Sequence, residues 1–415
     1  MTRAGTAGLV PAAWCVSAAL LAASDNVRWG PGPTLSAPAA GFTVSLTGYV
    51  QGDARSFRNW EAGDEDTGLL RSDATDLRRL RLGVEGEWKR LGFEVDFDPR
   101  DEGDHLKDAY LELEIAKPLT VRAGQFKLPL CREFLTSAGK IDFVERALLA
   151  THIGPARDLG VMVSGELGDL AGYQAGVFAG DGRTRRDRAG ATIAARIVLS
   201  PLKGLELGAS FASGDVEAET EAPGVEPRPL GFLGEGPAGF EFYGRRFVNG
   251  RRLRAGGEGA FVSGPASLKA EFLQGREERL GQGPVFEDLP EQVVNGWAVS
   301  ATWLLTGEKK KRTIEPGASL FRGPGAIEVG VRYESLRFDD AGPDSGFEGA
   351  GNRARNVRPG ADRIATGGIS WWPAAWIRIT GNVVVERFED ALLAPEPGRQ
   401  GSYVTLLGRL QLQVP

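Results

Sequence analysis

Alternation of apolar and charged residues, repeated along most of the chain, constrains this sequence more than any other feature. In residues 79–88 every second residue is apolar or glycine, and most of the residues between them are arginine or glutamate. Because the side chains of a strand point alternately to opposite faces, such a stretch has one apolar and one charged face. The same pattern recurs in residues 90–98 and 106–115. It indicates an all-β fold whose two sheet faces meet very different surroundings.

Sixteen stretches of this kind are predicted to be strands. They are residues 42–54, 77–88, 90–98, 106–115, 119–127, 159–167, 171–180, 190–199, 204–213, 252–263, 266–275, 293–305, 326–338, 361–372, 375–388 and 401–413. Short connections alternate with long ones along the chain, except that residues 306–325 are long where a short turn is due. An up-and-down barrel with tight turns at one end and long loops at the other produces this rhythm.

These features predict a transmembrane antiparallel β-barrel of sixteen strands over residues 42–413, in a bacterial outer membrane. No later segment approaches the roughly 20 consecutive apolar residues that a membrane helix needs. A closed barrel leaves no unpaired strand edge in lipid, and sixteen strands enclose an aqueous channel. A soluble β-sandwich or propeller also alternates, but such folds rarely repeat a turn and loop asymmetry through a whole chain.

The amino terminus has the pattern of a secretory signal peptide. One early positive charge at Arg3 precedes an apolar stretch and the small residues Ala22, Ala23 and Ser24. We therefore expect a signal peptide over residues 1–24, with cleavage as late as about residue 40, and a periplasmic segment over residues 25–41. A permanent membrane helix is the alternative, which the proline and glycine content disfavours. Cys131 is then the one cysteine of the mature chain, so no intramolecular disulfide forms.

Charge and histidine content exclude several classes of function. The chain has 49 basic and 55 acidic residues, a net charge of −6, which disfavours a strongly basic nucleic-acid binder. It has 2 histidines, and no Gly-x-Ser-x-Gly motif accompanies them. We predict a protein that is not an enzyme and that needs no cofactor or metal.

If the apolar faces contact lipid, the charged faces line the lumen. Arginine offers a planar fork of donors that matches phosphate oxygens, and rings of basic side chains make pores anion-selective. The candidate pore-lining residues on the strands are Arg79, Arg81, Arg122, Arg196, Arg332 and Arg378. The alternative is that mixed charges only wet the wall and pair across strands.

The third long loop, residues 128–158, differs from the others because it carries an apolar, helix-like patch that includes Ile141, Val144 and Leu148. An exposed loop has no reason to hold so much apolar material. We predict that it folds into the barrel and narrows the pore. Its candidate anion-binding residues are Arg132, Lys140 and Arg146, with Lys127 at its entrance.

Several blocks resemble the phosphate-selective porin O and P family. They are Leu-Lys-Asp-Ala-Tyr-Leu-Glu-Leu at 106–113, Val-Arg-Ala-Gly-Gln-Phe-Lys-Leu-Pro-Leu at 121–130, Ile-Asp-Phe-Val-Glu-Arg-Ala-Leu at 141–148, Arg-Asp-Leu-Gly-Val-Met-Val-Ser-Gly at 157–165 and the run at 295–308. The resemblance implies a sixteen-stranded porin, usually a homotrimer, that passes phosphate or pyrophosphate past inward arginines and lysines. The chain departs from many outer-membrane barrels in ending with Val414 and Pro415 instead of an aromatic residue.

The resulting hypothesis is an outer-membrane diffusion porin for small hydrophilic solutes, with a preference for anions such as phosphate. The alternative is a non-selective, structural or adhesive barrel that acts through its extracellular loops. Expected partners are transported anions, membrane lipid and lipopolysaccharide, whose phosphates the basic loop 181–189 would attract. Lys309 to Arg312 are interpreted as a solvated periplasmic turn. The residues assigned to the interfacial aromatic girdles are Trp297, Trp303, Trp371, Trp372 and Trp376.

Overall fold

The structure is a computed structural model that describes residues 28–29, 33–58, 74–101, 103–180, 190–218, 229–283, 285–320, 322–340, 360–390, 394–395, 398 and 401–414. The predicted signal peptide and the basic loop 181–189 lie outside these residues. Among the described residues, no helix is long and apolar enough to span a membrane.

Sixteen long antiparallel strands form one barrel. Short strands β1 (Arg28–Trp29) and β2 (Thr34–Ala37) precede them, and β2 pairs with the beginning of β3. The barrel strands are β3 (Phe42–Phe57), β4 (Ala74–Trp88), β5 (Leu91–Phe97), β6 (Leu106–Ala116), β7 (Leu119–Lys127), β8 (Arg157–Leu167), β9 (Ala171–Phe178), β10 (Thr192–Leu202), β11 (Leu205–Val216), β14 (Gly250–Ser263), β15 (Ala266–Arg279), β16 (Leu289–Leu304), β17 (Ala326–Asp340), β18 (Gly360–Ala374), β19 (Ile377–Phe388) and β20 (Tyr403–Gln413).

Each barrel strand pairs with its neighbour in the chain, and β20 pairs with β3 to close the sheet, with Leu410 opposite Gly52. The predicted sixteen-stranded antiparallel barrel is confirmed. Several strands extend further than predicted at the long-loop end: β15 continues to Arg279 and β17 to Asp340. Most of these added residues are polar, so hydrophobic alternation did not reveal them.

The two faces of the sheet separate as the alternation predicts. Outward residues such as Leu82 and Val331 are 55% and 63% exposed, as expected of a lipid-facing band. Inward residues such as Gln51 and Glu334 are buried, because other parts of the chain occupy much of the lumen. The prediction that Trp372 belongs to a lipid-facing girdle is wrong: it faces inward and packs with Leu304, Ile314 and Ala326.

Two long loops fill part of the barrel. The third loop contains the helices α1 (Arg132–Leu135) and α2 (Leu148–His152). Residues 229–248 follow β11 and contain the small hairpin of β12 (Gly234–Glu235) and β13 (Glu241–Tyr243). The largest cluster of buried apolar side chains joins both loops to the inward face of the wall. The hydrophobic core of this protein therefore lies inside the barrel.

Helix α2 rests on the wall at a glycine. A Cβ placed on Gly296 in β16 would lie 2.5 Å from the Leu149 Cβ and 3.2 Å from the Ile153 Cδ1. Contacts this close do not occur between real Cβ atoms and their neighbours, so the packing requires glycine at this position.

We expect Gly296→Leu to lower the thermal unfolding midpoint in detergent, because overpacking a core typically costs about 1–3 kcal/mol. Circular dichroism melting measures the effect. Gly367→Leu is the control, because a Cβ on Gly367 would meet no atom within 4 Å. Equal midpoints for the two variants would contradict the packing of α2 against β16.

Candidate functional site

Two cavities occupy the part of the lumen that the loops leave open. The outer cavity, about 650 Å³, is lined by Asp101 and Asp104 from the long-loop end of the barrel. The inner cavity, about 1130 Å³, is lined by Lys117 from a short turn at the opposite end. Leu135 and Ser137 of the third loop line both cavities, as does Gln174 of β9. The third loop and the facing wall therefore lie between the two cavities.

The outer cavity lies to one side of the barrel. Most of the outer cavity is lined by inward side chains of β4 to β8, including Arg81, Tyr110 and Met162, together with the third loop. On the opposite side, β15 to β19 are covered by buried residues of the two loops, such as Phe143 and Phe242. The inner cavity is wider, because Lys269 of β15, Glu328 of β17 and Arg378 of β19 also line it.

Inward polar side chains of the wall hold the third loop by its backbone. Arg378 donates to the carbonyls of Ile141 (2.6 Å) and Asp142 (2.7 Å). Three further wall side chains donate to loop carbonyls: Arg332 to that of Glu145, Gln411 to that of Gly139 and Gln51 to that of Ala138. Two others accept from loop amides: Asn382 from that of Val144 and Glu334 from that of Leu148. The buried backbone of an irregular loop thus obtains the partners that it needs.

Glu271 of β15 holds the beginning of the loop. It accepts from the Glu133 amide (2.8 Å) and from the Cys131 thiol (3.0 Å). Burial and the neighbouring Glu271 carboxyl raise the pKa of Cys131 well above its usual value. Its thiol therefore stays protonated and serves as a hydrogen-bond donor.

Asp142 at the tip of the third loop joins three parts of the chain. Its carboxylate contacts the ammonium groups of Lys269 in β15 (2.6 Å) and Lys310 in the turn 305–325 (2.8 Å). Burial raises the pKa of Asp142, but the two ammonium groups outweigh burial and lower the pKa below its usual range. The network is therefore stable at neutral pH and is lost only as the pH falls below the ordinary range of carboxylates.

The same network corrects the interpretation of the basic turn. Lys309, Lys311 and Arg312 are exposed, as expected of a solvated segment. Lys310 is not solvated, because it binds both Asp142 and Glu328 inside the mouth of the barrel. The turn folds under the barrel, and its extra length allows it to reach the third loop.

Residues 229–248 form a second inward segment that sequence reasoning missed. Tyr243 stacks on Phe338 with ring centroids 4.0 Å apart, and Phe240 contacts Phe388 at 5.3 Å. The His152 Nε2–H of α2 donates to the carbonyl of Glu235 (2.7 Å), which joins the two loops. A signal was present in the sequence, since aromatic residues are frequent here for a loop.

Most of the predicted arginines lie in the lumen but are paired with carboxylates. Arg81 binds Asp96 and Asp98, Arg122 binds Glu112, Arg196 binds Glu258, and Arg132 binds Glu206. Arg332 is 5% exposed, pairs with Glu334 and lines neither of these two cavities. Arg378 reaches the inner cavity, but its guanidinium is used to hold the third loop.

Three of the predicted basic residues line the outer cavity without contacting a carboxylate of the described chain. Arg79 donates to the side-chain oxygen of Gln51 (3.1 Å). Lys127 donates to the carbonyls of Phe134 (2.6 Å), Leu135 and Thr136 (both 3.3 Å). Arg146 donates to the carbonyls of Glu133 and Thr136. Their hydrogen-bond partners are neutral oxygens, so these three basic groups lie beside the third loop without a direct contact to a described carboxylate.

Lys140, the remaining predicted residue, is exposed at the inner cavity. Lys117, Lys311 and Arg312 are exposed on the lining of the same cavity. None of these four residues forms an ion pair with another described residue. The inner cavity therefore also carries basic side chains that are open to solvent.

A group of carboxylates in the outer cavity is close enough to share an ion: Glu94, Asp96 and Asp108. Arg81 binds Asp96, and Arg157 binds Asp108 at 2.7 Å. The Tyr110 hydroxyl donates to Glu94 (2.6 Å). Protein donors already occupy all three carboxylates, so the arrangement does not fit a resident metal.

A model of the family described as phosphate-selective porin O and P matches residues 44–413. The chain belongs to this family. It is therefore an outer-membrane porin, and members of a porin family act as channels and not as enzymes. No protein in a curated collection matches the chain significantly.

Solved structures of outer-membrane porins share the fold. An anion-selective porin from Comamonas acidovorans is 12% identical, with a TM-score of 0.56 over 90% of this chain and 99% of that one. OmpF of Salmonella typhi, in complex with daunomycin, is 10% identical, with a TM-score of 0.58 over 90% of this chain and 98% of that one. OmpT of Vibrio cholerae in its trimer form is 10% identical, with a TM-score of 0.56 over 90% and 99%.

We expect Asp142→Asn to loosen the third loop, because it removes the carboxylate that Lys269 binds and one of the two that Lys310 binds, and breaking a buried ion network costs about 3–5 kcal/mol. Single-channel recordings of the porin in planar bilayers should show greater fluctuation of the open current, and the thermal midpoint should fall. Asp169→Asn, in an exposed short turn, makes the same chemical change without either effect. An unaltered open current in Asp142→Asn would contradict the role of this network.

Proposed function

We propose that this porin is a diffusion channel for small hydrophilic solutes with a preference for small anions, such as phosphate or pyrophosphate. One observation carries the proposal: Arg79, Lys127 and Arg146 line the outer cavity at the third loop and contact neutral oxygens instead of carboxylates. An anion passing this point meets basic groups that no described carboxylate contacts directly.

The charges that line both cavities also support a preference for anions. The described lining of the outer cavity contains seven basic and six acidic residues, and three of the basic residues, Arg81, Lys107 and Arg157, pair with acids of the same lining. That of the inner cavity contains nine basic and six acidic residues. The basic residues in excess there include the exposed Lys117, Lys140 and Lys311. Positive potential therefore extends from the third loop to the periplasmic mouth.

Phosphate fits these groups by its chemistry. Guanidinium groups bind phosphate oxygens in a planar fork, while ammonium groups act as compact point charges. Conduction requires sites that are strong enough to replace part of the hydration shell and weak enough to release the ion. Arg79, Lys127 and Arg146 keep carbonyl or amide partners, which compete with the anion and limit how tightly it binds.

We expect Arg79→Gln with Arg146→Gln to reduce the permeability ratio of chloride over potassium. A unit charge about 6 Å from an ion in water changes its occupancy by roughly threefold, so the double variant should lose about tenfold in anion preference. Reversal potentials in a KCl gradient across a planar bilayer measure this ratio. Arg122→Gln with Glu112→Gln is the matched control, because it removes an ion pair without changing the net charge.

Added inorganic phosphate should reduce the chloride current of the wild type, and the double variant should be less sensitive. Cation selectivity of the wild type without any effect of phosphate would overturn the anion preference. Failure to form an ohmic pore would overturn the channel proposal itself and favour a structural barrel that acts through its extracellular loops.

We further propose that residues 1–24 direct export and that the barrel assembles as a homotrimer. The trimer form of Vibrio cholerae OmpT, which has the same fold, supports this assembly. Native mass spectrometry of the detergent-purified porin tests it, with a mass of three chains as the expected result and a monomer as the contrary one.

A further inference from the structure

Two arginines stand side by side on the outer surface of the barrel. Arg363 of β18 and Arg387 of β19 are directly opposite each other in the antiparallel register. Both belong to the outward phase of their strands, and both are exposed. Cβ atoms of directly opposite residues are about 4.5–5.5 Å apart, and like charges in such positions destabilise the sheet. An anion bound between the two guanidinium groups would remove this repulsion.

The neighbouring acids do not balance this pair. On the adjacent strand β17, Arg337 binds both Asp339 (2.8 Å) and Glu389 (2.6 Å). Among the described residues, no ion pair connects Arg363 or Arg387 to an acid. A local excess of positive charge therefore remains on this outer face.

The position along the strands corresponds to the headgroup region of a membrane. Trp297, in the same row as the arginines, contacts Tyr333, one row nearer to the short-turn end, on the outer face with ring centroids 5.4 Å apart, as in an interfacial aromatic belt. The next outward residues toward the short-turn end are Ala365 and Val385, followed by apolar side chains such as Ile369. The arginines thus lie where the apolar band ends, on the long-loop side.

We propose that Arg363 and Arg387 bind a phosphate group of a lipid headgroup in the outer leaflet of the outer membrane. Two guanidinium forks converge on the oxygens of one phosphate, and the lipid chains lie along the apolar band below. The long loops face the cell exterior in barrels of this kind, which places the pair in the outer leaflet. Its phosphate-bearing lipid is lipopolysaccharide, whose anchor is lipid A.

A transported phosphate ion uses the same chemistry but is a less suitable ligand here. The barrel wall separates the pair from both cavities, since neither arginine is among the residues that line them. A lipid phosphate is held at the height of the pair by its acyl chains, whereas a free ion gains no such positioning. Basic residues near a membrane surface contribute to headgroup binding in this way.

The test uses the whole porin, refolded in detergent without lipid, and native mass spectrometry with added diphosphoryl lipid A. We expect Arg363→Gln with Arg387→Gln to weaken binding about thirtyfold, or about fivefold for each arginine. Arg363→Lys with Arg387→Lys should retain most of the affinity. Arg276→Gln is the matched control, because Arg276 is an outward, exposed arginine that pairs with Glu291 (3.8 Å).

Three further measurements decide between explanations. Lipid A without phosphates should bind to the wild type as weakly as diphosphoryl lipid A binds to the double glutamine variant. Equal binding of both lipids to the wild type would overturn the proposal. Inorganic phosphate at millimolar concentration should not displace diphosphoryl lipid A, and displacement would identify a free-ion site instead. Without lipid, the thermal midpoint of the glutamine variant should equal that of the wild type or be slightly higher, because the variant lacks the repulsion between the two arginines.

A lower midpoint of the glutamine variant, with normal lipid binding, would show that the arginines balance the buried Asp362 and Glu386 on the inner face and would overturn the proposal. The anion preference of the channel is measured separately, by reversal potentials, and does not depend on this site. Failure of one proposal is therefore distinguishable from failure of the other.

Discussion

Closure of the sheet is the constraint on which the rest of this structure depends. In the hydrocarbon of a bilayer, no water can satisfy an unpaired backbone group, so the edge strands β3 and β20 must pair with each other. Sixteen strands closed in this way enclose a lumen that their own side chains cannot fill. The protein fills part of this space with two loops and leaves the rest to water and solutes.

Inward polar side chains consequently have two roles, which depend on what they face. Where the third loop lies against the wall, Arg378, Asn382 and Glu334 supply hydrogen bonds to its backbone. Where the wall faces the passage, Arg81 and Arg122 pair with neighbouring acids. At the third loop, Arg79, Lys127 and Arg146 bind neutral oxygens and contact no described carboxylate directly.

The periodicity of the sequence was sufficient to predict the strands, their number and the phase that faces the lumen. The apolar patch around Ile141 and Val144 also indicated an inward third loop. Alternation specifies which face of a strand a residue occupies, but not what lies opposite that face. Arg332 and Arg79 both follow the inward phase of their strands. The third loop lies against Arg332, which binds the loop backbone, whereas Arg79 borders the outer cavity. The inward course of residues 229–248 depends on aromatic contacts with β17 and β19, which are distant in sequence.

The partly filled lumen divides the barrel into two regions with different tolerance to substitution. Side chains of β15 to β19 are buried against loop backbone, so a change there leaves polar atoms without partners and costs folding energy. Side chains of β5 to β9 that face the passage border water, which can replace a lost partner. Substitutions that alter which solutes pass can therefore accumulate on one side of the barrel while the other side preserves the fold. Such a porin can change which solutes it passes while its fold stays the same.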